Sequence, residues 1–574
     1  MRRTEDCRLT QMTTHALLEW RVSQAPADCA VRFWDCSGWK SVTWKEYARL
    51  VANVSRGLQD ACLVHGDRIA IYAETCFEWA LVDLAAQRFG GIVVAIHPSY
   101  SPEEVTHALR ISKPKALFYG GEKPAAIVRE LGIIDCPQLA MYSFGEHMAA
   151  AARPFSELLR TPEDNVQDTG STVQESDVAT YVFTSGTSGL PKALCLTQRN
   201  LVATAIASFR HLGFDVPRPQ SLHWLPFAHL FGRIGLYLDL VSGGSATYSR
   251  GLQCLPDDLR VAKPDFLFAV PKALSRFRTT ILSKVDQQPA WKRRLFRGAL
   301  KRAQAASLHP AVHTLSKKTL FGSVISSFGG NLRLIIVGSA PVEMSLCRFF
   351  EAFGIGVREG YGMTETSGVA FVNPFQRSRF GTVGTAIETI DFQIAPDQEL
   401  LVRGDSVCKG YLNPADNLAA FTEDGWFRTG DLGAVQADGY VKIVGRKKDI
   451  IITDAGENIT PDRIEAKLTG YPLIRDVVLI GDKRPYVVAI ICVDRSVASQ
   501  VPVADAVQHI LNEVNIGLAR FEKIKKFLIA KSDFSVDNGE LTPSFKKKRR
   551  VIEERYRQEL YALYAQEQQY AAAG

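Results

Sequence analysis

The densest chemistry in the 574-residue chain is one short run, Thr184-Ser185-Gly186-Thr187-Ser188-Gly189-Leu190-Pro191-Lys192. Its glycines let backbone N–H groups approach phosphate oxygens, its hydroxyls add donors, and Lys192 adds a positive charge. It is not a Walker A loop, because no Gly-Lys-Ser/Thr occurs and Pro191 precedes the lysine. Read alone, such a segment is equally a Ser/Gly-rich surface loop. Further along comes Glu359-Gly360-Tyr361-Gly362-Met363-Thr364-Glu365-Thr366-Ser367. There a tyrosine between glycines can face a flat base, and a hydroxyl beside a carboxylate suits a phosphate-bound magnesium. In the run from Gly425 to Gly433, Asp431 sits between turn residues. A carboxylate so placed can accept from two ribose hydroxyls, or simply close an Asx turn. Arg446, Lys448, Asp449 and then Gly456-Glu457-Asn458 complete the series.

The elements that must position these groups read as α/β. Residues 69–72, 91–96, 116–119, 179–183, 266–270 and 332–337 are short apolar runs, and the first three alternate with amphipathic stretches. That alternation predicts a mostly parallel sheet covered on both faces. Ser101-Pro102-Glu103-Glu104 predicts a helix start, with a capping box and proline at the first helical position. Beyond about residue 380 the texture changes to short strands punctuated by Gly, Asp and Pro, such as 399–402 and 440–444. After the charged 445–449 a smaller segment follows, with strands expected at 476–480 and 486–492. The expected architecture is a large N-terminal domain, residues 1–445, of βαβ-type sheets with a small β-rich subdomain. A smaller mobile α+β C-terminal domain, residues 446–574, completes it.

Composition narrows the class. With 46% hydrophobic and 22% charged residues the chain is ordinary for a globular protein, and its length exceeds one core. A net charge of +7 suits polyanionic small molecules such as nucleotides, or an anionic membrane face, and does not demand nucleic acid. Eleven dispersed cysteines without a Cys-x-x-Cys pair argue for a reducing, cytoplasmic setting and against a structural zinc site. The opening Met-Arg-Arg-Thr-Glu-Asp leads into no apolar stretch, and no run of about 18 apolar residues occurs. The expectation is a protein with no secretory leader or transmembrane segment, at most peripheral to a membrane.

In this order and separation, the five segments resemble the core motifs of the adenylate-forming superfamily of acyl-CoA synthetases, adenylation domains and luciferases. The resemblance runs from about residue 43 to 556. It is most like bacterial long-chain fatty-acyl-CoA synthetases, through segments 224–233, 263–271, 329–341 and 541–546. The resemblance implies that Thr184, Ser185, Gly186, Thr187, Ser188, Gly189 and Lys192 hold the ATP phosphates. Glu365 would hold Mg²⁺, with Gly362, Met363 and Thr364 beside it. Tyr361 would lie on the adenine, Ser339, Ala340 and Pro341 would line the adenosine site, and Asp431 and Arg446 would hold the ribose. Lys546 would be the catalytic lysine bridging carboxylate and α-phosphate, although the run Lys546-Lys547-Lys548-Arg549-Arg550 also reads as a solvated basic tail. Lys448 would be the hinge of a rotating small domain, and Gly456, Glu457 and Asn458 would face the pantetheine tunnel. His229 would stand beside the acyl carboxylate, or be structural.

The function so implied is activation of a fatty acid to acyl-AMP with release of pyrophosphate, then transfer to coenzyme A. Loading a carrier protein's phosphopantetheine, luciferase-like oxidation of the adenylate, and a catalytically degenerate nucleotide-binding scaffold are the alternatives. Four departures from the usual pattern stand out: Ala193 after the loop lysine, Gln198-Arg199 before Asn200, Ala455-Gly456 where two glycines are common, and Phe545 rather than glycine before Lys546. The extra methyl of Ala455 is expected to narrow access for the thiol.

Overall fold

The computed structural model describes residues 12–132, 139–145, 148–149, 151–159, 173–184, 190–305, 320–498, 502–542 and 546–572. Two large sheets carry most of the chain. In one of eight strands, the order is Gly410–Tyr411, Lys192–Thr197, Val178–Thr184, Ile92–Ile96, Arg68–Ala73, Ala116–Gly120, Ala140–Ser143 and Arg153–Pro154. In the other, of nine, it is Thr385–Ala386, Phe371–Val372, Gly356–Tyr361, Leu334–Val337, Phe266–Ala269, Gln220–His223, Ser245–Tyr248, Cys29–Asp35 and Gly38–Thr43. The central strands of both pair in parallel, as their continuous apolar runs require when helices cover both faces. The expected strands therefore form, displaced at their ends by one or two residues, and so does the helix Phe77–Arg88, which is buried on nearly every side rather than amphipathic because it lies between the two sheets.

Helices Phe77–Arg88, Gln198–Leu212 and Leu230–Ser242 lie between the sheets and share one apolar core with the inner faces of both. Helices Pro102–Ser112 and Glu122–Leu131 cover the far side of the eight-stranded sheet, and Leu255–Ala262, Pro271–Asp286 and Ala290–Gln304 the far side of the nine-stranded one. The result is five layers. Helix starts are fixed locally: Ser101 and Glu104 cap each other reciprocally as expected, and Thr197 and Asn200 do the same one strand after the hydroxyl-rich turn.

One polar cluster crosses the central layer. Arg233 and Asp83 are both fully buried. Arg233 Nε donates to Asp83 Oδ2 at 3.2 Å and Nη1 to Thr180 Oγ1 at 2.8 Å. Tyr237 Oη and Gln87 Nε2 also donate to the Asp83 carboxylate, at 2.8 and 2.7 Å. This ties helices Phe77–Arg88 and Leu230–Ser242 to the strand that leads into Thr184.

Past the two large sheets, Asp391–Ile394, Glu399–Arg403, Phe427–Val435 and Val441–Arg446 form an antiparallel four-stranded sheet. The remainder builds its own cores around the sheet Ile474–Ile480, Val487–Val493 and Ile524–Ile529. The charged stretch expected to interrupt the strands does so only after Arg446, which still pairs with Asp431.

Candidate active site

The site lies where the strand ends of both sheets meet the small C-terminal unit. Strands Val178–Thr184 and Lys192–Thr197 form an antiparallel hairpin, with Thr184 opposite Lys192 at its tip. Ser185, Gly186, Thr187, Ser188 and Gly189 lie outside the described residues. Thr184 and Lys192 both face the cleft. The ammonium of Lys192 sits 2.5 Å from Asp416 and 6.0 Å from the Tyr411 ring. Neither partner carried a sequence signal beyond the turn-forming Asn413-Pro414.

Glu365 sits on a single helical turn, Thr364–Thr366, and is buried. Tyr411 Oη donates to its Oε1 at 2.7 Å. Tyr411 belongs to the strand that pairs with the hairpin, so the carboxylate and the hairpin residues Thr184 and Lys192 share one support. Among the described residues no three His, Cys, Asp or Glu side chains gather as a metal site. A lone carboxylate with neighbouring hydroxyls still fits Mg²⁺, which keeps water and phosphate oxygens as its other ligands.

Asp431 differs from expectation. It lies inside the strand Phe427–Val435 rather than in a turn. The misleading signal has a local cause: Gly430 adopts φ +70° and the register slips between Leu432 and Gly433, so turn-like residues form an irregular strand. The buried Asp431 carboxylate is clamped, accepting from Tyr361 Oη at 2.6 Å on one oxygen and lying 3.1 Å from Arg446 Nε on the other. Burial, and then the Asp431 charge, push the Tyr361 phenol well above its ordinary range. Tyr361 thus presents its ring with its hydroxyl already committed. The close turn beside it needs Gly362, because a Cβ there would come within 2.3 Å of the Gly368 carbonyl oxygen. Ser339, at φ +72°, and Ala340 and Pro341 line the same cleft.

Lys546 reaches this cleft from the small unit. Its backbone N–H donates to Thr542 Oγ1 at 3.0 Å and its carbonyl accepts from Thr542 N–H at 2.7 Å, which fixes Lys546 against Thr542. Pro543, Ser544 and Phe545 lie outside the described residues. Burial lowers the Lys546 ammonium pKa, Arg446 lowers it further, and Asp431 and Glu365 oppose the shift. The solvated-tail alternative fails for the next residues. Lys547 and Arg549 both bind the buried Glu465 carboxylate, and Arg549 Nη1 lies 2.6 Å from it. These two anchors fix the path of the chain at Lys546.

His229 caps helix Leu230–Ser242, its Nδ1 accepting from Phe231 N–H at 3.2 Å. Burial lowers its pKa to about 4, with Lys546 adding to the effect. Burial, then His229, lowers that of His97 to about 3. Sequence reading missed His97, which follows the strand Ile92–Ile96 with nothing to mark it. Both imidazoles are therefore neutral at neutral pH. The sign follows: each loses folded-state favour as pH falls from the unfolded value near 6.5 towards these lowered values. Behind His229, Leu212, Phe231, Phe268, Ile336 and Val369 line an apolar pocket.

Lys448 is exposed on the connection after Arg446 and borders the cleft. Gly456, at φ +80°, Glu457 and Asn458 are exposed on the small hairpin Ile451–Ile452/Asn458–Ile459, apart from the residues that line the cleft around Lys546. The two units also touch directly: Arg278 Nη2 donates to the Gly470 carbonyl at 2.9 Å, and Lys272 lies 3.7 Å from Asp476.

Two family models match most of the chain. Residues 18–412 match the AMP-binding enzyme model and 448–568 the AMP-binding enzyme C-terminal domain. The chain belongs to the AMP-binding enzyme family. It is 32% identical over 561 residues to long-chain-fatty-acid–CoA ligase FadD15 of Mycobacterium bovis, covering 92% of this chain and 93% of the relative. It is 28% identical to fatty acyl-CoA synthetase A of Dictyostelium discoideum, over 92% and 86%. Among solved structures, the A domain of a carboxylic acid reductase from Segniliparus rugosus, with AMP and a co-purified carboxylic acid, superposes with TM-score 0.79. That pair is 20% identical and covers 98% and 96% of the two chains. ATP-bound MatB from Rhodopseudomonas palustris gives 0.73 at 23% identity, over 95% and 99%. This AMP-binding enzyme therefore has the adenylate-forming fold, with a large N-terminal and a smaller C-terminal part.

Proposed function

We propose that this AMP-binding enzyme activates a medium- or long-chain fatty acid with ATP and transfers the acyl group to coenzyme A. The observation that carries the reading is the meeting of Tyr361, Asp431, Arg446, Glu365 and Lys546 on one cleft. The names of the relatives support the acid and the acceptor, since both are fatty-acid–CoA enzymes. They give no support to a carrier protein or to luciferase-like oxidation.

In the first step a carboxylate oxygen attacks the α-phosphorus, and the bond to the β-phosphate bridging oxygen breaks, pyrophosphate leaving with the electron pair. A carboxylate is already nucleophilic at neutral pH, so the residues position and neutralise rather than deprotonate. Adenine lies against Tyr361 and the adenosine against Ser339, Ala340 and Pro341. The ribose hydroxyls donate to Asp431, which Arg446 holds in place. Thr184 and the turn after it take the β- and γ-phosphates. Glu365 would hold Mg²⁺, which when bound would supply charge neutralisation on those phosphates. The Lys546 ammonium donates to the carboxylate oxygen and the α-phosphate as negative charge gathers there. His229 and His97, both uncharged, give the acid's head group a polar floor without pairing to its charge.

In the second step the sulfur of coenzyme A attacks the acyl carbonyl and AMP leaves. Lys546 lines the cleft, whereas Gly456, Glu457 and Asn458, assigned to the thiol's path by the resemblance, lie apart from it. The small domain therefore turns about Lys448, giving up the Arg278–Gly470 contact, between the steps. The division expected at residues 445–446 is better placed just after Arg446, which still belongs to the strand Val441–Arg446.

The test is acid-stimulated formation of AMP from ATP across a panel of acids, followed by mass spectrometry of thioesters formed with coenzyme A or with a holo carrier protein. Fatty acyl-CoA is the expected product. No acid-stimulated AMP, or a thioester only on the carrier, rejects the reading. Tyr361→Phe removes the donor to Asp431 and is expected to raise KM for ATP about tenfold with a small change in kcat. Initial-rate kinetics check it.

A further inference from the structure

The segment from Lys272 to Gln304 carries ten Lys and Arg residues against one acid, Asp286. That exceeds the net +7 of the whole chain, so the rest is close to neutral. The charge is not spread evenly around helix Ala290–Gln304. Phe296 and Leu300 point inward, into the core on the outer face of the nine-stranded sheet. Trp291 and Leu295, one turn apart, point the opposite way and are 65% and 50% exposed. At helical spacing Gly298 and Arg302 continue the same row, and Arg294, Lys301 and Arg297 flank it. Lys292 Nζ lies 5.4 Å from the Trp291 ring. A tryptophan and a leucine on the crest of a helix with six cations and no anion have no role in the cleft chemistry, and they gain nothing from water.

We propose that the outer face of helix Ala290–Gln304 docks on an anionic lipid bilayer. Trp291 and Leu295 enter the headgroup boundary while Lys292, Arg294 and Lys301 meet lipid phosphates. Charge complementarity selects this occupant over a neutral membrane, and the apolar crest selects it over a nucleic acid, whose backbone would be met by cations alone. The run at Lys546 is not the docking element, because Lys547 and Arg549 are committed to Glu465. Trp291 and Leu295 also border the wide cleft that holds the site. Docking would thus set the cleft's rim against the bilayer in which fatty acids partition. That last benefit rests on the proposed substrate class; the docking does not.

Full-length protein is sedimented with vesicles of phosphatidylcholine alone and with about a quarter phosphatidylglycerol, at low and high salt. Binding is expected only to the anionic vesicles and should weaken as salt rises. Lys292→Glu with Arg294→Glu should cut it by at least about 25-fold, taking roughly fivefold per lost cation. Trp291→Ser with Leu295→Ser should cut it on the order of tenfold. Both variants should keep vesicle-free, acid-stimulated ATP consumption, which shows that they are folded and reads the proposed enzyme function separately. Equal sedimentation with neutral and anionic vesicles overturns the proposal, as does none with either. So does a charge variant that loses binding while the Trp291/Leu295 variant keeps it, which would mark a purely electrostatic face.

Discussion

Lys546→Ala should abolish acid-dependent exchange of labelled pyrophosphate into ATP, a loss on the order of 10²–10³-fold or more. The loss comes from the transition state, since Lys546 is the group placed to meet charge on both the carboxylate oxygen and the α-phosphate. Its partly desolvated setting, with Arg446 near, means that an ammonium held there costs free energy in the empty site. A bound triphosphate reverses that balance. The variant should therefore bind ATP nearly as well as the parent and fail in the chemical step. Given synthetic acyl-adenylate and coenzyme A, it should still form thioester within a few-fold of the parent rate, because the thiol step has no need of the lysine. Exchange at the parent rate would remove Lys546 from the mechanism, and equal loss in both half-reactions would mean that the loop after Thr542 had collapsed instead.

The second large effect concerns stability. Asp83→Ala leaves the Arg233 guanidinium fully buried without its carboxylate, and strips Tyr237 and Gln87 of their common acceptor. Breaking one side of a buried pair costs about 3–5 kcal/mol. Thermal inactivation of acid-stimulated ATP consumption should therefore shift strongly downward. The companion Asp83→Ala/Arg233→Met, which removes both charges and keeps apolar volume, should recover much of the loss. If the double variant is no better than the single, the cluster stabilises through something other than charge pairing.

The periodic parts of this molecule were legible. Continuous apolar runs such as 69–72 and 116–119 became buried parallel strands, and Ser101 and Glu104 started a helix, because these signals are local. The clusters around Tyr361, Glu365 and Asp431 were legible as motifs, since each packs several polar groups into a few residues. What escaped depends on distant pairings. Tyr411 matters because its strand joins the hairpin more than two hundred positions earlier in the chain, and Asp416 because it meets Lys192. His97 owes its depressed pKa first to burial, which only the folded chain creates, and then to His229 on another element. The run from Lys546 to Arg550 reads as solvated until Glu465, on a helix far upstream, claims two of its members. Asp431 shows the reverse failure: glycine at a left-handed angle announces a turn, and a strand absorbs it instead.

The ends of the two large sheets bear on how the protein survives crowding. A sheet's outermost strand offers unpaired backbone groups to any neighbouring chain, a hazard that grows with strand length. Here three of the four borders are strands of only two residues, Gly410–Tyr411, Arg153–Pro154 and Thr385–Ala386, and one of them ends in a proline that cannot donate. Only Gly38–Thr43 is longer, and it carries Lys40. So large a β content is kept from templating aggregation by brevity at its margins, and lengthening any of these borders would be the change to avoid in an engineered variant.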